Sequence, residues 1–139
     1  MMSLAEVVNA HPRYRLARRP IASFVRHAMR SAGIRKFVVT VVLHNNTASR
    51  RLNSRWLAHR EPTDVISFAL GERPTLEGEI YVNLDRARRQ AARYGVRFSH
   101  EVARLVIHGA LHLTGMDDRS RAERKRMQRR EDELLARWF

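Results

Sequence analysis

Phe37-Val38-Val39-Thr40-Val41-Val42-Leu43 is an unbroken apolar run in which five of seven residues are β-branched. Such side chains are stiff at χ1 and suit extended backbone, and seven residues are too few for a core helix. A strand without polar alternation is expected where both sheet faces are covered, so the run reads as a buried strand of an α/β sheet.

The pattern extends outward in both directions. Upstream, Leu4–Asn9 reads as a short first strand on the strength of Val7 and Val8. Pro20 fits a first helical position, Ile21, Phe24, Val25, Ala28 and Met29 follow at helical spacing, and Gly33 stops that helix. Downstream, Asn45, Asn46 and Thr47 give a turn and an N-cap, with a helix through Leu52, Trp56 and Leu57. Glu61-Pro62-Thr63 breaks the pattern. Strands are expected over residues 65–68 and 79–82, separated by a loop over 71–78 that contains Pro74. A helix over Leu84–Tyr94 ends at Gly95, and Ser99 caps another that carries Val102, Leu105, Val106 and Leu113 and stops at Gly115. From Arg119 a basic–acidic helix follows, with Met127, Leu134, Leu135 and Trp138 as its apolar face. The expectation is one α/β (α+β-like) domain over residues 1–139, a mixed sheet of about four strands flanked by helices.

Composition narrows the function. The chain has 139 residues, 44% of them hydrophobic, enough for a core. Lys plus Arg number 27 against 14 Asp plus Glu, a net charge of +13, which favours a polyanionic partner: nucleic acid or an anionic membrane surface. A basic surface of no particular function is the plain alternative. There is no cysteine, so thiolate ligands and disulfides are excluded and any metal must use His and carboxylates. No apolar run reaches bilayer length. Met1 to Ala10 carries Glu6 and Asn9 and lacks the basic start and long apolar run of a signal peptide, so a cytoplasmic protein is expected.

The chemistry concentrates in His108-Gly-Ala-Leu-His112-Leu-Thr-Gly115-Met-Asp117-Asp118. Residues four apart share a helix face, so His108 and His112 can aim two imidazoles at one ion from the C-terminal half of a helix. Gly115 falls where a helix ends at positive φ, and the chain can turn back to bring Asp118 in as a third ligand. Two imidazoles and one carboxylate leave a tetrahedral zinc one open position, the layout of a catalytic site. The bland alternative is a chance His pair, a capping glycine and surface aspartates. Gly109 stands where His-Glu-x-x-His proteases carry their general base, so this is not that motif. Asp64 at the start of one strand and Glu79 on another are candidates to orient the ligands; a turn cap and an exposed strand residue are the equal alternatives.

Together with Thr63-Asp64-Val65-Ile66-Ser67-Phe68 and Gly78-Glu79-Ile80-Tyr81-Val82 in the same order, and with Leu52-Asn53, this stretch resembles the YbeY family, bacterial rRNA maturation factors described as zinc-dependent endoribonucleases. The resemblance covers roughly residues 38–118. It implies an α/β fold with a mixed sheet flanked by helices, action on RNA in maturation of small-subunit rRNA and in ribosome quality control, and one zinc ion per chain. The family holds its metal with three histidines in His-x-x-x-His-x-x-Gly-x-Asp-His. His108 and His112 match the first two, Asp117 matches the family's aspartate, and Asp118 stands in the third histidine's place. The family arginine in the helix before the Thr-Asp-Val strand falls on Leu57. Arg55 or Arg60 could stand in for it in space; the catalytic residues stay open, with Arg55, Arg60 and Asp64 as candidates. A second expectation, favoured by Leu57, is a non-catalytic factor that binds ribosomes or rRNA. A third, a hydrolase of another substrate such as peptide, is disfavoured by the basic charge and by Gly109.

Overall fold

The structure, a computed structural model, describes residues 3–56, 63–71 and 74–139, with backbone only at 55 and 56. Its elements run β1 (Leu4–Asn9), α1 (Arg18–Ser31), β2 (Phe37–His44), α2 (Asn46–Trp56), β3 (Val65–Gly71), β4 (Leu76–Asn83), α3 (Leu84–Tyr94), α4 (Phe98–Leu113) and α5 (Arg121–Leu135). The α/β architecture and the mixed sheet of four strands match the expectation. The sheet order is β1-β2-β4-β3, with β1, β2 and β4 parallel and β3 antiparallel to β4 on the edge.

Register puts Val7, Val41, Ile80 and Ser67 in one row across the sheet, all on the face that α4 covers. Val39, Val41, Leu43, Ile80 and Val82 on this face are fully buried, and Ile21, Phe24, Val25, Ala28 and Met29 of α1 join them in the core. α4 is the central helix: it packs against α1, α3, α5, β3 and β4.

The expectation for β2 was burial on both faces. Instead its residues alternate, and Val38 is exposed, as are Leu4 and Val8 on β1. One sheet face carries the core and the other stays partly open.

Several boundaries also moved. Helix α1 begins at Arg18, so Pro20 is its third residue, still in the first turn where a missing N–H costs no intrahelical bond. α4 begins at Phe98 with Arg97 as N-cap, not at Ser99. The Phe98 ring meets the Tyr14 ring edge-on at 5.5 Å, an apolar contact that starts the helix one residue before the serine signal. The expected loop over 71–78 is shorter, because β3 runs to Gly71 and β4 starts at Leu76. A register irregularity between Ala69 and Gly71 lets the hairpin continue past residues that break the alternation. Gly33, Gly95 and Gly115 all have positive φ, as their helix-stopping roles require.

A candidate metal centre at the end of α4

Helix α4 ends in a two-bond glycine cap. The Gly115 N–H donates to His112 O at 3.0 Å and the Met116 N–H to Leu111 O at 3.2 Å, with Gly115 at φ 105°. Met116 packs on the core and anchors the turn. The chain therefore reverses tightly after the second histidine and carries the acidic pair back toward it.

Of that pair, Asp118 faces the histidines. His112 Nε2 lies 3.1 Å from His108 Nε2. Asp118 Oδ2 lies 3.5 Å from His108 Nε2 and 3.4 Å from His112 Nε2. Asp117 is turned elsewhere: one oxygen accepts the Asp118 N–H at 2.8 Å and the other pairs with Arg119 at 3.2 Å. Zinc–nitrogen and zinc–oxygen bonds of about 2.0–2.2 Å give a tetrahedron with edges of about 3.3–3.6 Å; the two His–Asp spacings fall in that range and the His–His spacing of 3.1 Å is slightly shorter, so the three donor atoms are close enough to share one ion. Among the described residues this is the one group of three or more His, Asp or Glu side chains so converged.

Gly109 is explained by packing. A Cβ there would lie 2.6 Å from Ile80 Cγ2 and 2.9 Å from Ser67 Oγ. The bare backbone lets α4 sit directly on β3 and β4. A side chain there would force α4 or the sheet to shift, and glycine itself supplies no base.

The hydrogen-bond partner of His108 was missed in the sequence. Glu131 of α5 is 4% exposed, and its Oε2 accepts the His108 Nδ1–H at 2.6 Å. Burial works against protonation of His108. The hydrogen bond and charge of Glu131, with the charges of Asp118 and Asp64, outweigh it and hold the imidazole above its ordinary value. Arg104 forms a close pair with Glu101, donating from Nε at 2.9 Å and from Nη2 at 2.5 Å, and reaches Glu131 at 3.6 Å. The available signal was a carboxylate at the centre of the apolar stripe Met127, Leu134, Leu135, a position where a charge is not expected without a partner.

The other candidates divide. Asp64 accepts the Val65 N–H at 2.8 Å, as a turn cap does, and the Gln90 amide at 3.2 Å. It acts on His108 through space rather than by contact. Glu79 accepts the Tyr81 hydroxyl at 2.9 Å on the opposite face from Ile80, so it does not orient the histidines. Arg60 and Leu57 lie outside the described residues, as does the side chain of Arg55.

Beside the triad, a cleft of about 500 Å³ is lined by Tyr94, Arg104, His108, Asp118, Arg124 and Gln128, among others. Tyr94 is 57% exposed there. No described helix is long and apolar enough to cross a membrane.

Known proteins share both the sequence and the fold. The family model described as Endoribonuclease YbeY matches residues 8–139. The Endoribonuclease YbeY of Chlorobium chlorochromatii (strain CaD3) is 40% identical over 111 residues, 80% of this chain and 71% of that protein. That of Salinibacter ruber is 34% identical over 134 residues, 90% of this chain and 85% of the relative. The solution structure of TM1509 from Thermotoga maritima has the same fold, with a TM-score of 0.64 at 23% identity over 97% of this chain and 91% of that one. A match that takes in every strand but the start of β1, every helix and the whole His-His-Asp cluster leaves one conclusion, that this chain belongs to the YbeY family.

Proposed function

We propose that this chain is a zinc-dependent endoribonuclease that cuts single-stranded RNA at the His108–His112–Asp118 centre, as one domain over residues 1–139. The observation that carries this reading is the donor spacing of 3.1, 3.4 and 3.5 Å at the end of α4. The choice of zinc rests on the donor set, two imidazoles and one carboxylate, which is that of catalytic zinc sites with an open fourth position. The two imidazoles and the carboxylate would hold the ion and leave one side open to the cleft.

A zinc ion bound there supplies Lewis-acid stabilisation of charge developing on the phosphoryl oxygens. The chain's own residues do the rest. Asp118, being charged, offsets part of the ion's field. Arg124 borders the cleft and can hold a neighbouring phosphate, and exposed Tyr94 offers a ring for a base to stack on. The net charge of +13 supports binding to the RNA backbone at large. Family membership supports a role in small-subunit rRNA maturation and ribosome quality control in the cytoplasm, with the ribosome or its small subunit as partner.

The test is zinc content and cleavage together. Purified protein should contain about one zinc per chain and cut single-stranded RNA in a metal-dependent way. The His108→Ala, His112→Ala double variant should lose both. Zinc retained at the wild-type level in that variant would remove the site assignment.

Leu57, in the place of the family arginine, favours a second reading: a ribosome- or rRNA-binding factor that keeps the metal for structure. It predicts salt-sensitive RNA binding with no cleavage that His112→Ala abolishes.

A further inference from the structure

Glu131 is a costly residue where it stands. Met127, Leu134 and Leu135 on the same face of α5 are buried, and an apolar side chain at 131 would join them without desolvating a charge. Its ion-pair partner does not explain it. Arg104 gives its close contacts to Glu101 and stays 3.6 Å from Glu131. The short contact of Glu131 is with His108 Nδ1 at 2.6 Å.

That contact decides which ring nitrogen carries the proton. With Nδ1–H toward the carboxylate, the neutral ring has its lone pair on Nε2, the nitrogen that meets His112 Nε2 and Asp118 Oδ2. The other tautomer would set the Nδ1 lone pair against a carboxylate oxygen at 2.6 Å, which is repulsive. Behind the ring, Glu101, Glu131 and Arg104 form a largely buried group of two carboxylates and one guanidinium, with one negative charge left over. A surplus negative charge fixed next to a ligand favours a cation at the ligand's far side.

We infer that Glu131 is a positioning residue of the metal centre: it locks His108 in the Nδ1–H tautomer with Nε2 directed at the ion, and the Glu101–Arg104–Glu131 cluster supplies the buried negative charge that strengthens metal binding. This rests on the metal site proposed above.

The test compares wild type with Glu131→Gln, which removes the charge and keeps the shape, and Glu131→Met, which continues the apolar stripe. Zinc affinity is measured on the full chain by competition with a chromogenic chelator. The His108 tautomer is read from imidazole nitrogen NMR on metal-free protein at alkaline pH, where the ring is neutral. Wild type should show the Nδ1–H form. Glu131→Met should move toward the Nε2–H form and bind zinc about 10–100-fold more weakly, with Glu131→Gln weakened less. A purely structural carboxylate would lower the melting temperature and leave tautomer and affinity alone. Wild-type zinc affinity and an unchanged tautomer in folded Glu131→Met overturn the inference while the metal site stands. If Glu131→Met does not fold, unchanged affinity in Glu131→Gln overturns the charge contribution. Failure of wild type itself to bind zinc overturns the metal site, and this inference with it.

Discussion

The Ser67 hydroxyl donates to the main-chain carbonyl of Gly109 at 2.9 Å, tying the helix that carries both histidines to the edge strand of the sheet. The contact exists because residue 109 has no side chain. A Gly109→Ala Cβ would come within 2.6 Å of Ile80 Cγ2 and 2.9 Å of Ser67 Oγ, so α4 or the sheet must shift. Overpacking of this kind costs about 1–3 kcal/mol, against a helix-propensity gain of about 1 kcal/mol for Ala over Gly. The clash should win, with Gly109→Ala less stable in urea unfolding and weaker in zinc binding. Adding Ser67→Ala should recover part of the loss; strict additivity of the two variants would refute the proposed contact.

The degree to which this was legible follows from how local each signal is. β1 and β2 announce themselves through runs of β-branched residues, and the end of α4 through Gly115, because strand propensity and a positive-φ cap depend on a few adjacent residues. The His108–His112 pair is legible for the same reason. Glu131 was not, since it acts across helices from 23 residues away in the chain. A charge in an apolar stripe says that a partner exists, not which one. Glu79, left between two equal readings, resolves in the opposite way. It lies in a marked motif, yet strand alternation puts it on the face that Ile80 does not share.

Asp118 is the member that departs from a three-histidine pattern, and its geometry makes the consequence testable. Its Oδ2 sits nearly equidistant from the two imidazoles, at 3.5 and 3.4 Å. Asp118→Ala removes a ligand atom outright and should weaken zinc by more than the about 10–100-fold that loss of an orienting partner costs. Asp118→His should retain or raise affinity. Calorimetric titration of both variants checks this. Normal zinc binding by Asp118→Ala would transfer the third position to Asp117 or to water.

The cleft beside the triad gives two separable effects on RNA. Tyr94 is 57% exposed and borders the same cleft as His108. Stacking of one base on an aromatic ring is worth about 1–3 kcal/mol, so Tyr94→Ala should raise KM roughly 5- to 150-fold at any salt concentration. Arg124→Ala should act differently. Loss of one phosphate contact weakens binding most at low salt and reduces the slope of log affinity against log salt by about one for duplex and somewhat less for single strands. Fluorescence anisotropy across a salt series separates the two. Identical salt slopes in Arg124→Ala and wild type would place the RNA elsewhere.

Stability should also carry a pH signature from outside the metal centre. His44 at the end of β2 is 4% exposed, with the Tyr81 ring 5.8 Å away. Burial lowers its pKa to about 4, with the nearby His11 adding to the effect and Asp85 opposing it. In the unfolded chain the same imidazole titrates near about 6.5. Between those values the unfolded state binds a proton that the folded state refuses. The stability present above about pH 6.5 is therefore lost as pH falls toward about 4, a change on the order of 3 kcal/mol. His108, whose pKa is raised, contributes in the opposite direction: its stabilisation of metal-free protein is full at low pH and lost as pH rises through its folded value. The two opposing slopes are separated by His44→Gln, which is neutral throughout and removes only the first. Urea midpoints for the variant should fall less on acidification than those of wild type, and parallel curves over that interval would mean that His44 protonates in the folded protein as freely as in the unfolded one.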